Sequence, residues 1–484
     1  MDSMTFVLFG ATGDLAKRKI FPALFNLYLG GKLPKSFSVI GVGRNGIEDG
    51  EFQARVTDSL YTFSRHLLND KTKKEEFVRK FHYCQLNVTN TEGYQKLLKL
   101  IQQKEKEQNI DENRMFYLSV APEFFDVIAM NIKKSGLGTT NGWKRLIIEK
   151  PFGHDLKSAQ ELNEKLSNTF EEDEIYRIDH YLGKPMVQSL EALAFANPVL
   201  QSLWNNRFIA NVQITASEIV GVEERAGYYD KAGAIRDMVQ NHMLQLLMMT
   251  AMHLPKRISA NHIRNEKRKV LESLRPLQRD TLGVHVVRGQ YGTGEINGGP
   301  VDAYKEEPGV DASSQNDTFI AARLWIDNSF WDGVPFYIRT GKRMTEKTTK
   351  IVIEFKNPLK DSFTSEMEQI EPNLLTIHIN PNEGVSLQLN SKDPANGKMV
   401  PITVDFSASK QDVPEAYELL LFDALCGDAT FFAHWNEVEL SWKWVEPILE
   451  SFKENRVPLQ SYSSGSMGPD AAHQLLEEDG FKWW

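Results

Sequence analysis

The segment YRIDHYLGK, residues 176–184, combines side chains suited to acid–base chemistry and to anion binding. Asp179 directly precedes His180, and Tyr181 and Lys184 follow. A carboxylate that orients a histidine is one way to build a general base. Adjacent side chains of an extended segment point to opposite faces, so Asp179 and His180 are poorly placed to hydrogen-bond each other. If Asp179 orients a histidine, we expect that histidine to come from elsewhere in the chain.

A second polar group interrupts the apolar run GAIRDMVQNHMLQLLMMTAM, which predicts one long helix at about residues 234–252. Asp237, Asn241, His242 and Gln245 lie in this run, and such groups are costly to bury without partners. A neutral histidine suits the removal of a hydroxyl proton near neutral pH. The pattern alone allows a structural or a catalytic role for His242, and the polar stripe favours a site.

The segment VLFGATGDLAKRK places Gly10, Gly13 and Ala16 in a GxxGxxA spacing between a predicted strand and a predicted helix. Binding a pyrophosphate requires a sharp backbone turn that approaches the ligand closely and a helix N-terminus that faces its charge. An ordinary glycine turn can have the same spacing, but the strand–turn–helix context favours a dinucleotide site. The Walker A pattern is absent.

Arg44 stands in VIGVGRNG, at the end of the second predicted strand. A carboxylate at this position would accept a hydrogen bond from the ribose 2′-hydroxyl of NAD and repel the 2′-phosphate of NADP. Because the position carries an arginine and no acid, we expect NADP as the cofactor, with NAD possible as a secondary acceptor.

Basic residues recur in YIRTGKRMTEK, where Lys342 and Lys347 follow a predicted strand. In isolation such lysines are more often solvated surface. The chain has a formal charge of −9 and a pI near 5.8, which argues against nucleic acid or acidic lipid as partners. An anionic ligand therefore needs a local cluster of cations, which Lys342 and Lys347 can supply together with Lys184.

The cysteine pattern and hydropathy exclude further classes. Cys84 and Cys426 are far apart and form no CxxC motif, so neither a disulfide framework nor a cysteine zinc site is indicated. No cluster has convincing metal-ligand spacing, and a hydride transfer needs no metal. The N-terminal sequence lacks a basic signal-peptide region, and no apolar run reaches the ~18 residues of a membrane span. We predict a soluble, cytoplasmic protein.

The elements that position these residues differ between the two halves of the chain. Alternating strands and helices in the first 180 residues predict a Rossmann-type parallel sheet. The predicted strands are residues 5–9, 37–41, 81–86, 115–120, 145–148 and 175–178. The predicted helices are residues 15–28, 51–68, 92–106, 123–133 and 156–166. In open α/β sheets ligands bind outside the carboxyl ends of the strands, which places the opening segment at a site.

The second half contains a series of strand-like runs with few helices between them, which predicts a mainly antiparallel sheet. These runs are NVQITASEI, VHVVRGQY, TFIAARLWI, PFYIRT, KIVIEF, LLTIHI, VSLQL and ITVDF. We therefore predict an α/β domain at residues 1–180, followed by a larger α+β domain at residues 181–484.

Eight segments in one order, from Gly10 to Pro469, resemble the glucose-6-phosphate dehydrogenase family. They are GATGDLAKRK, FYLSVAP, IIEKPFG, RIDHYLGK, GVEERAGYYD, DMVQNH, VPFYIRTGKR and YSSGSMGP. The resemblance implies oxidation of C1 of β-D-glucose 6-phosphate with NADP, giving 6-phosphoglucono-1,5-lactone and NADPH. This is the first step of the oxidative pentose phosphate pathway. It also implies a homodimer or a dimer of dimers.

The resemblance further implies a role for each matching residue. His242 resembles the general base on the C1 hydroxyl, and Asp179 the carboxylate that orients it and stabilises the imidazolium. Residues matching the dinucleotide site are Gly10, Ala11, Thr12, Gly13, Asp14, Leu15, Ala16, Lys17, Arg44 and Lys150. Residues matching the phosphate-binding group are His180, Tyr181, Lys184 and Tyr417. Residues matching the sugar site are Glu218, Asp237, Lys342 and Lys347, with Lys19 and Lys150 near both substrate and cofactor.

One position departs from the family pattern, because Pro185 follows Lys184 where the family usually has glutamate. Proline lacks a backbone donor and fixes φ, so we expect changed affinity or stability here and retained activity. A glucose–fructose oxidoreductase type of enzyme also joins a Rossmann domain to an open sheet, but the cations around Lys184 argue against it. A third alternative, a non-catalytic metabolite sensor, is disfavoured by Asp179 and His242.

Overall fold

The computed structural model describes residues 2–65, 71–253, 259–357, 370–406 and 413–484. The chain divides into two compact units. The first unit comprises Met1–Pro185 and Pro414–Glu439, and the second comprises Met186–Val413 and Leu440–Trp484.

Within the described residues, the first unit is built on a six-stranded sheet in which every neighbouring pair is parallel. Its strands are β1 (Met4–Phe9), β2 (Phe37–Gly43), β3 (Phe81–Gln85), β4 (Arg114–Leu118), β5 (Lys144–Glu149) and β6 (Ile175–Ile178). Their order is β3-β2-β1-β4-β5-β6, which is that of a dinucleotide-binding Rossmann fold. Because both faces are covered, strands such as MTFVLF are buried throughout. The predicted parallel sheet is confirmed.

The helices that follow these strands are α1 (Phe21–Leu29), α2 (Asp49–Phe63), α3 (Lys71–Val78), α4 (Thr91–Gln108), α5 (Phe125–Ser135) and α6 (Leu156–Ser167). The helix predicted at residues 15–28 contains a π-helical segment, Ala16–Ile20, before α1. Pro22 lies just after this π-helical segment, where α1 begins. The helix predicted at residues 51–68 ends at Phe63, and residues 66–68 of that prediction lie outside the described part of the chain.

The second unit contains a sheet that is ten-stranded within the described residues. Its strands are β7 (Ile209–Ser217), β8 (Val286–Ile296), β9 (Gly299–Val301), β10 (Phe319–Leu324), β11 (Phe336–Gly341), β12 (Thr348–Phe355), β13 (Leu374–Asn380), β14 (Gly384–Lys392), β15 (Met399–Phe406) and β16 (Leu459–Ser464). The order is β15-β14-β13-β12-β7-β11-β10-β8-β16, with β9 beside β8. Among the described strands of this second sheet, only β7 with β11 and β8 with β16 pair in parallel. The predicted, mainly antiparallel sheet is confirmed.

The helices from residue 185 onward are more numerous than the sequence pattern suggested. They are α7 (Pro185–Gln188), α8 (Leu190–Phe195), α9 (Pro198–Leu203), α10 (Ala226–Ala234), α11 (Leu244–Ala251), α12 (Ala260–Glu272), α13 (Leu282–His285), α14 (Ala416–Cys426), α15 (Trp435–Lys453) and α16 (Asp470–Glu477). The helix predicted at about residues 234–252 is a π-helical segment, Ile235–Met243, that continues into α11. Aromatic side chains of the sheet, including Phe319, Tyr337 and Tyr462, share the second unit's core with Leu476 of α16.

The predicted domains, residues 1–180 and 181–484, differ from the observed units at two places, because residues 181–185 and the segment Pro414–Glu439 belong to the first unit. Leu420 and Leu421 of α14 are buried in the same core cluster as Phe21 and Phe25 of α1. A predicted boundary at a single residue misses this return, because packing between segments so distant in sequence leaves no local pattern.

Candidate functional site

The glycine loop after β1 has the close backbone approach that a dinucleotide site requires. Gly10 has a φ of +80°, and a Cβ at this position would lie 2.0 Å from the backbone oxygen of Ser119, so only glycine fits. The backbone N–H groups of Gly10 and Ala11 donate to the carbonyl oxygen of Val42 at 2.9 and 3.1 Å. The N–H of Gly13 donates to the oxygen of Gly10, and the helix begins directly afterwards. The loop therefore provides a tight turn followed by a helix N-terminus, as a pyrophosphate requires.

Arg44 directly follows β2 and is exposed. The loop that carries it is held by two side chains of β3. Gln85 Nε2 donates to the carbonyl oxygen of Arg44 at 3.1 Å, and the Tyr83 hydroxyl donates to that of Asn45 at 2.9 Å. A cation is thus presented at the strand end where a ribose 2′-substituent is read, which fits a 2′-phosphate.

Glu149, the last residue of β5, accepts hydrogen bonds from two tyrosines and is followed by Lys150. The hydroxyl of Tyr117, on β4, donates to Glu149 Oε1 at 2.5 Å, and the hydroxyl of Tyr417, on α14, donates to the same oxygen at 3.2 Å. Burial raises the pKa of Glu149 to about 7, opposed by the two tyrosine hydrogen bonds and by Lys150. Sequence reasoning missed Glu149 as a functional residue, although it stands inside the motif IIEKPFG.

At the end of β6, the segment that opened the sequence argument forms a turn. Asp179 is 2% exposed, and its Oδ1 accepts a hydrogen bond from the backbone N–H of Tyr181 at 2.9 Å. The ring centroids of His180 and Tyr181 are 5.2 Å apart, and the Lys184 ammonium lies 5.0 Å from the Tyr181 ring centroid. The structure therefore brings His180, Tyr181 and Lys184 together at a partly exposed surface, while Asp179 is buried.

Pro185 is the first residue of α7. Proline is favoured at this position because the first N–H groups of a helix have no intrahelical acceptor and its φ is already helical. The backbone N–H of Lys184 donates to the oxygen of Tyr181 at 3.1 Å, so the turn before the proline is closed. The substitution is therefore compatible with the local backbone.

The segment Pro414–Glu439 brings two more predicted residues into the first unit. Lys19 Nζ lies 2.8 Å from Glu415 Oε2, next to the start of α14. Burial, followed by the charges of Glu149 and Asp179, raises the pKa of Tyr417 above its ordinary value. Tyr417 therefore lies close to the carboxyl ends of β5 and β6.

In the second unit, three predicted sugar-binding residues meet at one end of the sheet. Glu218 directly follows β7, Lys342 directly follows β11, and Lys347 directly precedes β12. Because β7 pairs in parallel with β11 and antiparallel with β12, these three positions adjoin. Lys342 Nζ lies 2.6 Å from Glu218 Oε2, whereas Lys347 is exposed. A carboxylate and two ammonium groups therefore lie at the same end of three neighbouring strands of the sheet.

The π-helical segment of the second unit carries His242, which is 1% exposed, and the buried Asp237. Arg225 Nη2 lies 3.4 Å from Asp237 Oδ1. Burial, followed by the charge of Asp237, raises the pKa of Tyr229, and the Lys342 ammonium lies 5.1 Å from the Tyr229 ring centroid. Asp237 and Lys342 therefore both lie near Tyr229.

Asp317 anchors the start of this π-helical segment, and sequence reasoning did not identify it. Its Oδ2 accepts from the backbone N–H of Ile235 at 2.9 Å, and its backbone oxygen accepts from the N–H of Ala234 at 2.9 Å. Gly233 has a φ of +69°, and a Cβ there would lie 2.7 Å from Asp317 Oδ1. Burial raises the pKa of Asp317. The glycine in AGAIRD was the one available signal.

The predicted site residues thus form two groups, one in each unit. The first contains the glycine loop, Arg44 and the residues after β5 and β6, and the second contains the residues around the π-helical segment. The pairing of Asp179 with His242 stays a prediction.

Two further properties concern the described residues alone. They contain no group of three or more His, Cys, Asp or Glu side chains arranged to hold a metal ion. None of the helices in the described part of the chain combines the length and the hydropathy that crossing a lipid bilayer requires.

A glycine loop at the carboxyl edge of a Rossmann sheet, joined to a unit with a buried histidine and a carboxylate, defines a nicotinamide-dependent oxidoreductase. Two family models specify which one. The NAD binding domain of glucose-6-phosphate dehydrogenase matches residues 7–189, and the C-terminal domain of glucose-6-phosphate dehydrogenase matches residues 191–484. The chain belongs to the glucose-6-phosphate dehydrogenase family.

Individual relatives extend over almost the whole chain. It is 49% identical over 482 residues to the glucose-6-phosphate 1-dehydrogenase of Bacillus subtilis, covering 99% of this chain and 97% of the relative. It is 42% identical to the enzyme of the same name from Leuconostoc mesenteroides, covering 98% and 97%. A glucose-6-phosphate dehydrogenase solved in complex with its substrate glucose 6-phosphate superimposes with a TM-score of 0.91 at 36% identity, covering 100% of this chain and 99% of that one.

Proposed function

We propose that this protein oxidises C1 of β-D-glucose 6-phosphate to 6-phosphoglucono-1,5-lactone with reduction of NADP to NADPH. This reaction opens the oxidative pentose phosphate pathway. The observation that carries the proposal is the similarity, over the full chain, to a dehydrogenase solved with glucose 6-phosphate bound. The 49% identity to the Bacillus subtilis enzyme supports the same activity.

The cofactor is held by the first unit. Gly10 and Gly13 give the backbone its close approach to the pyrophosphate, and Arg44 pairs with the 2′-phosphate. The other residues that line the dinucleotide are Ala11, Thr12, Asp14, Leu15, Ala16, Lys17 and Lys150. When bound, NADP supplies the nicotinamide ring that accepts the hydride from C1. Since one exposed arginine favours the 2′-phosphate without blocking a 2′-hydroxyl, NAD serves as a secondary acceptor.

His242 acts as the general base that takes the proton of the C1 hydroxyl while the hydride leaves. Asp179 orients its imidazole and stabilises the imidazolium that forms, without any covalent step. Burial of both residues supports this role, because a carboxylate–imidazolium interaction is stronger where water is excluded.

The substrate is recognised at its two ends. His180, Tyr181, Lys184 and Tyr417 bind the phosphate, which an acidic protein attracts only through such a local cluster. Glu218, Asp237, Lys342 and Lys347 bind the sugar hydroxyls, and Lys19 and Lys150 lie near both substrate and cofactor. The adjoining positions of Glu218, Lys342 and Lys347 support this assignment.

We further propose a homodimer, or a dimer of such dimers, in the cytoplasm. The edge strand β15 supports an assembly through the sheet of the second unit. Ile402, Val404 and Phe406 point to one face of this strand and are 45, 42 and 57% exposed. An exposed apolar edge strand is a liability in an isolated chain, and burial against a second copy removes it.

Absorbance of NADPH after mixing the protein with NADP and either glucose 6-phosphate or free glucose tests the function. We expect turnover with glucose 6-phosphate and a far lower kcat/KM with glucose. A preference for free glucose would support the glucose–fructose oxidoreductase alternative. No turnover with either sugar would reject an enzymatic role for this protein with these substrates.

A further inference from the structure

We infer that Glu149 is a positioning residue that sets the direction of the Tyr417 hydroxyl. When Glu149 is ionised, it accepts a hydrogen bond from the Tyr417 hydroxyl. When Glu149 is protonated, the Tyr417 hydroxyl is free to donate its hydrogen bond to the substrate phosphate. Because this role assumes that Tyr417 contacts the phosphate, it depends on the function proposed above. Phosphate binding is then coupled to proton uptake by a carboxyl group that does not itself contact the phosphate.

The geometry around Glu149 supplies the constraint. The hydroxyls of Tyr117 and Tyr417 both lie within hydrogen-bond distance of Glu149 Oε1. An ionised carboxylate can only accept, and each tyrosine hydroxyl has a single proton to give. With Glu149 ionised, both tyrosines therefore donate to it. The Tyr417 oxygen then has only lone pairs to offer a phosphate. Because a phosphate oxygen is also an acceptor, no hydrogen bond forms between them.

Protonation of Glu149 reverses one of these two bonds. The proton comes from solvent and resides on Oε1, the oxygen that both tyrosines contact, which then donates to one tyrosine oxygen and still accepts from the other. The bond from Tyr117 is short, at 2.5 Å, and the bond from Tyr417 is longer, at 3.2 Å. The weaker bond is the one that reverses, because reversal there costs less. The Tyr417 hydroxyl, now an acceptor from Glu149, can rotate its own proton towards a phosphate.

The surroundings of Glu149 allow both forms near neutral pH. Burial raises its pKa to about 7, and the nearby charge of Asp179 raises it further. Tyr117 from β4, Tyr417 from α14 and the adjacent Lys150 act in the opposite direction. These groups lie on β4, directly after β5, directly after β6 and on α14.

The sign of the effect on substrate binding follows. Below a pH of about 7 Glu149 is protonated, Tyr417 donates to the phosphate, and the KM for the sugar phosphate is low. As the pH rises through 7, Glu149 ionises, Tyr417 turns away, and this KM rises. The phosphate of the substrate also titrates, at a pKa of about 6. The wild type must therefore be compared with variants measured on the same substrate at the same pH.

The test is the KM for glucose 6-phosphate between about pH 6 and about pH 8, on either side of the Glu149 pKa. Glu149→Gln cannot titrate, so its KM should show no step at the Glu149 pKa. We expect the wild-type KM to rise across the range by roughly tenfold relative to that of Glu149→Gln, the scale of one hydrogen bond to a charged group. Tyr417→Phe should show a high KM at every pH. The KM for NADP should depend on pH in the same way in the wild type, Glu149→Gln and Tyr417→Phe.

Tyr117→Phe separates this role from a general disturbance of the core. Removing the Tyr117 hydrogen bond raises the pKa of Glu149 further, because that bond stabilises the ionised form. The KM of Tyr117→Phe should therefore rise with pH as that of the wild type does, but at a higher pH.

A second measurement does not depend on whether Glu149→Gln folds. Calorimetry of glucose 6-phosphate binding at about pH 7, in buffers of different ionisation enthalpy, should show more proton uptake by the wild type than by Tyr417→Phe. Parallel KM curves for wild type and Glu149→Gln, or equal proton uptake by wild type and Tyr417→Phe, would overturn the role of Glu149. If the enzyme still turns over glucose 6-phosphate, those results reject the role of Glu149 and leave the proposed function intact. If there is no turnover, the proposed function itself is rejected.

Discussion

The carboxylate of Asp317 accepts a hydrogen bond from the backbone N–H of Ile235 at 2.9 Å, at the first residue of the π-helical segment that carries Asp237 and His242. The helix start is thus fixed by a buried side chain from the residues just before β10. Gly233, two residues before Ile235, has a positive φ, and this turn lets the backbone approach Asp317 closely.

Replacing Gly233 by alanine should therefore destabilise the protein. A Cβ would collide with the Asp317 carboxylate, and alanine is strained at a φ of +69°. We expect the free energy of unfolding in urea to fall by about 1–3 kcal/mol, with a lower kcat because the helix that carries His242 is displaced.

Gly227→Ala is the matched control for that substitution, since Gly227 also lies in α10. No described atom outside its immediate neighbours lies within 4 Å of a Cβ built at Gly227, and its φ is not positive. That variant should be as stable as the wild type or slightly more so. Equal stability of the Gly233 and Gly227 variants would contradict the constraint at Gly233.

Arg44→Ala should weaken NADP binding selectively. Loss of the cation that faces the 2′-phosphate should raise the KM for NADP by roughly tenfold and leave the KM for NAD nearly unchanged. Arg55→Ala removes another exposed arginine, which pairs with Glu51 on α2, and should alter neither value. A parallel loss of affinity for both cofactors would remove Arg44 from 2′-phosphate recognition.

Glu418→Ala should loosen the segment that returns to the first unit. The Glu418 carboxylate is buried, accepts two hydrogen bonds from Arg65 at 2.7 Å, and accepts one from Asn26 at 2.9 Å. Its removal leaves the buried amide of Asn26 without this acceptor, so we expect about 2 kcal/mol less stability in urea unfolding. Glu75→Ala breaks only an exposed pair with Arg79 and should be nearly neutral. If the two variants were equally stable, Glu418 would not hold α14 in place.

Ile402→Glu tests the proposed assembly. A charge in the apolar stripe of β15 should convert the dimer to monomers in light scattering, because burying an unpaired carboxylate is costly. Val199→Glu places the same charge on another exposed apolar side chain, in α9, and should leave the dimer intact. A dimer that persists in the Ile402 variant would exclude β15 from the interface.

The sequence predicted the local features of this fold because they follow local rules. Buried strands appear as apolar runs, and Gly10 marks a turn that only glycine can make. The expectation that Asp179 and His180 face apart assumed an extended segment, whereas the structure forms a turn there, in which the Asp179 carboxylate accepts a hydrogen bond from the backbone N–H of Tyr181. Their separate roles stay a prediction. The strand β16, LQSYSS, was missed because its side chains are mostly polar.

Features that depend on contacts between distant segments could not be predicted. Glu149 accepts a hydrogen bond from Tyr417 only because α14 returns to a strand that lies 268 positions earlier in the chain. Asp317 reaches the N–H of Ile235 across 82 positions. Neither contact produces a periodicity or a motif, so only the folded chain reveals them.

The division of labour between the two histidines is the central claim, and steady-state kinetics with glucose 6-phosphate and NADP tests it most directly. His242→Asn should lower kcat by about 10²-fold or more, the scale of general base catalysis, with the KM for the sugar phosphate largely kept. His180→Asn should instead raise that KM and leave kcat close to the wild-type value. If both variants lost kcat alike and kept KM, the assignment of His242 to the base and His180 to the phosphate would be wrong.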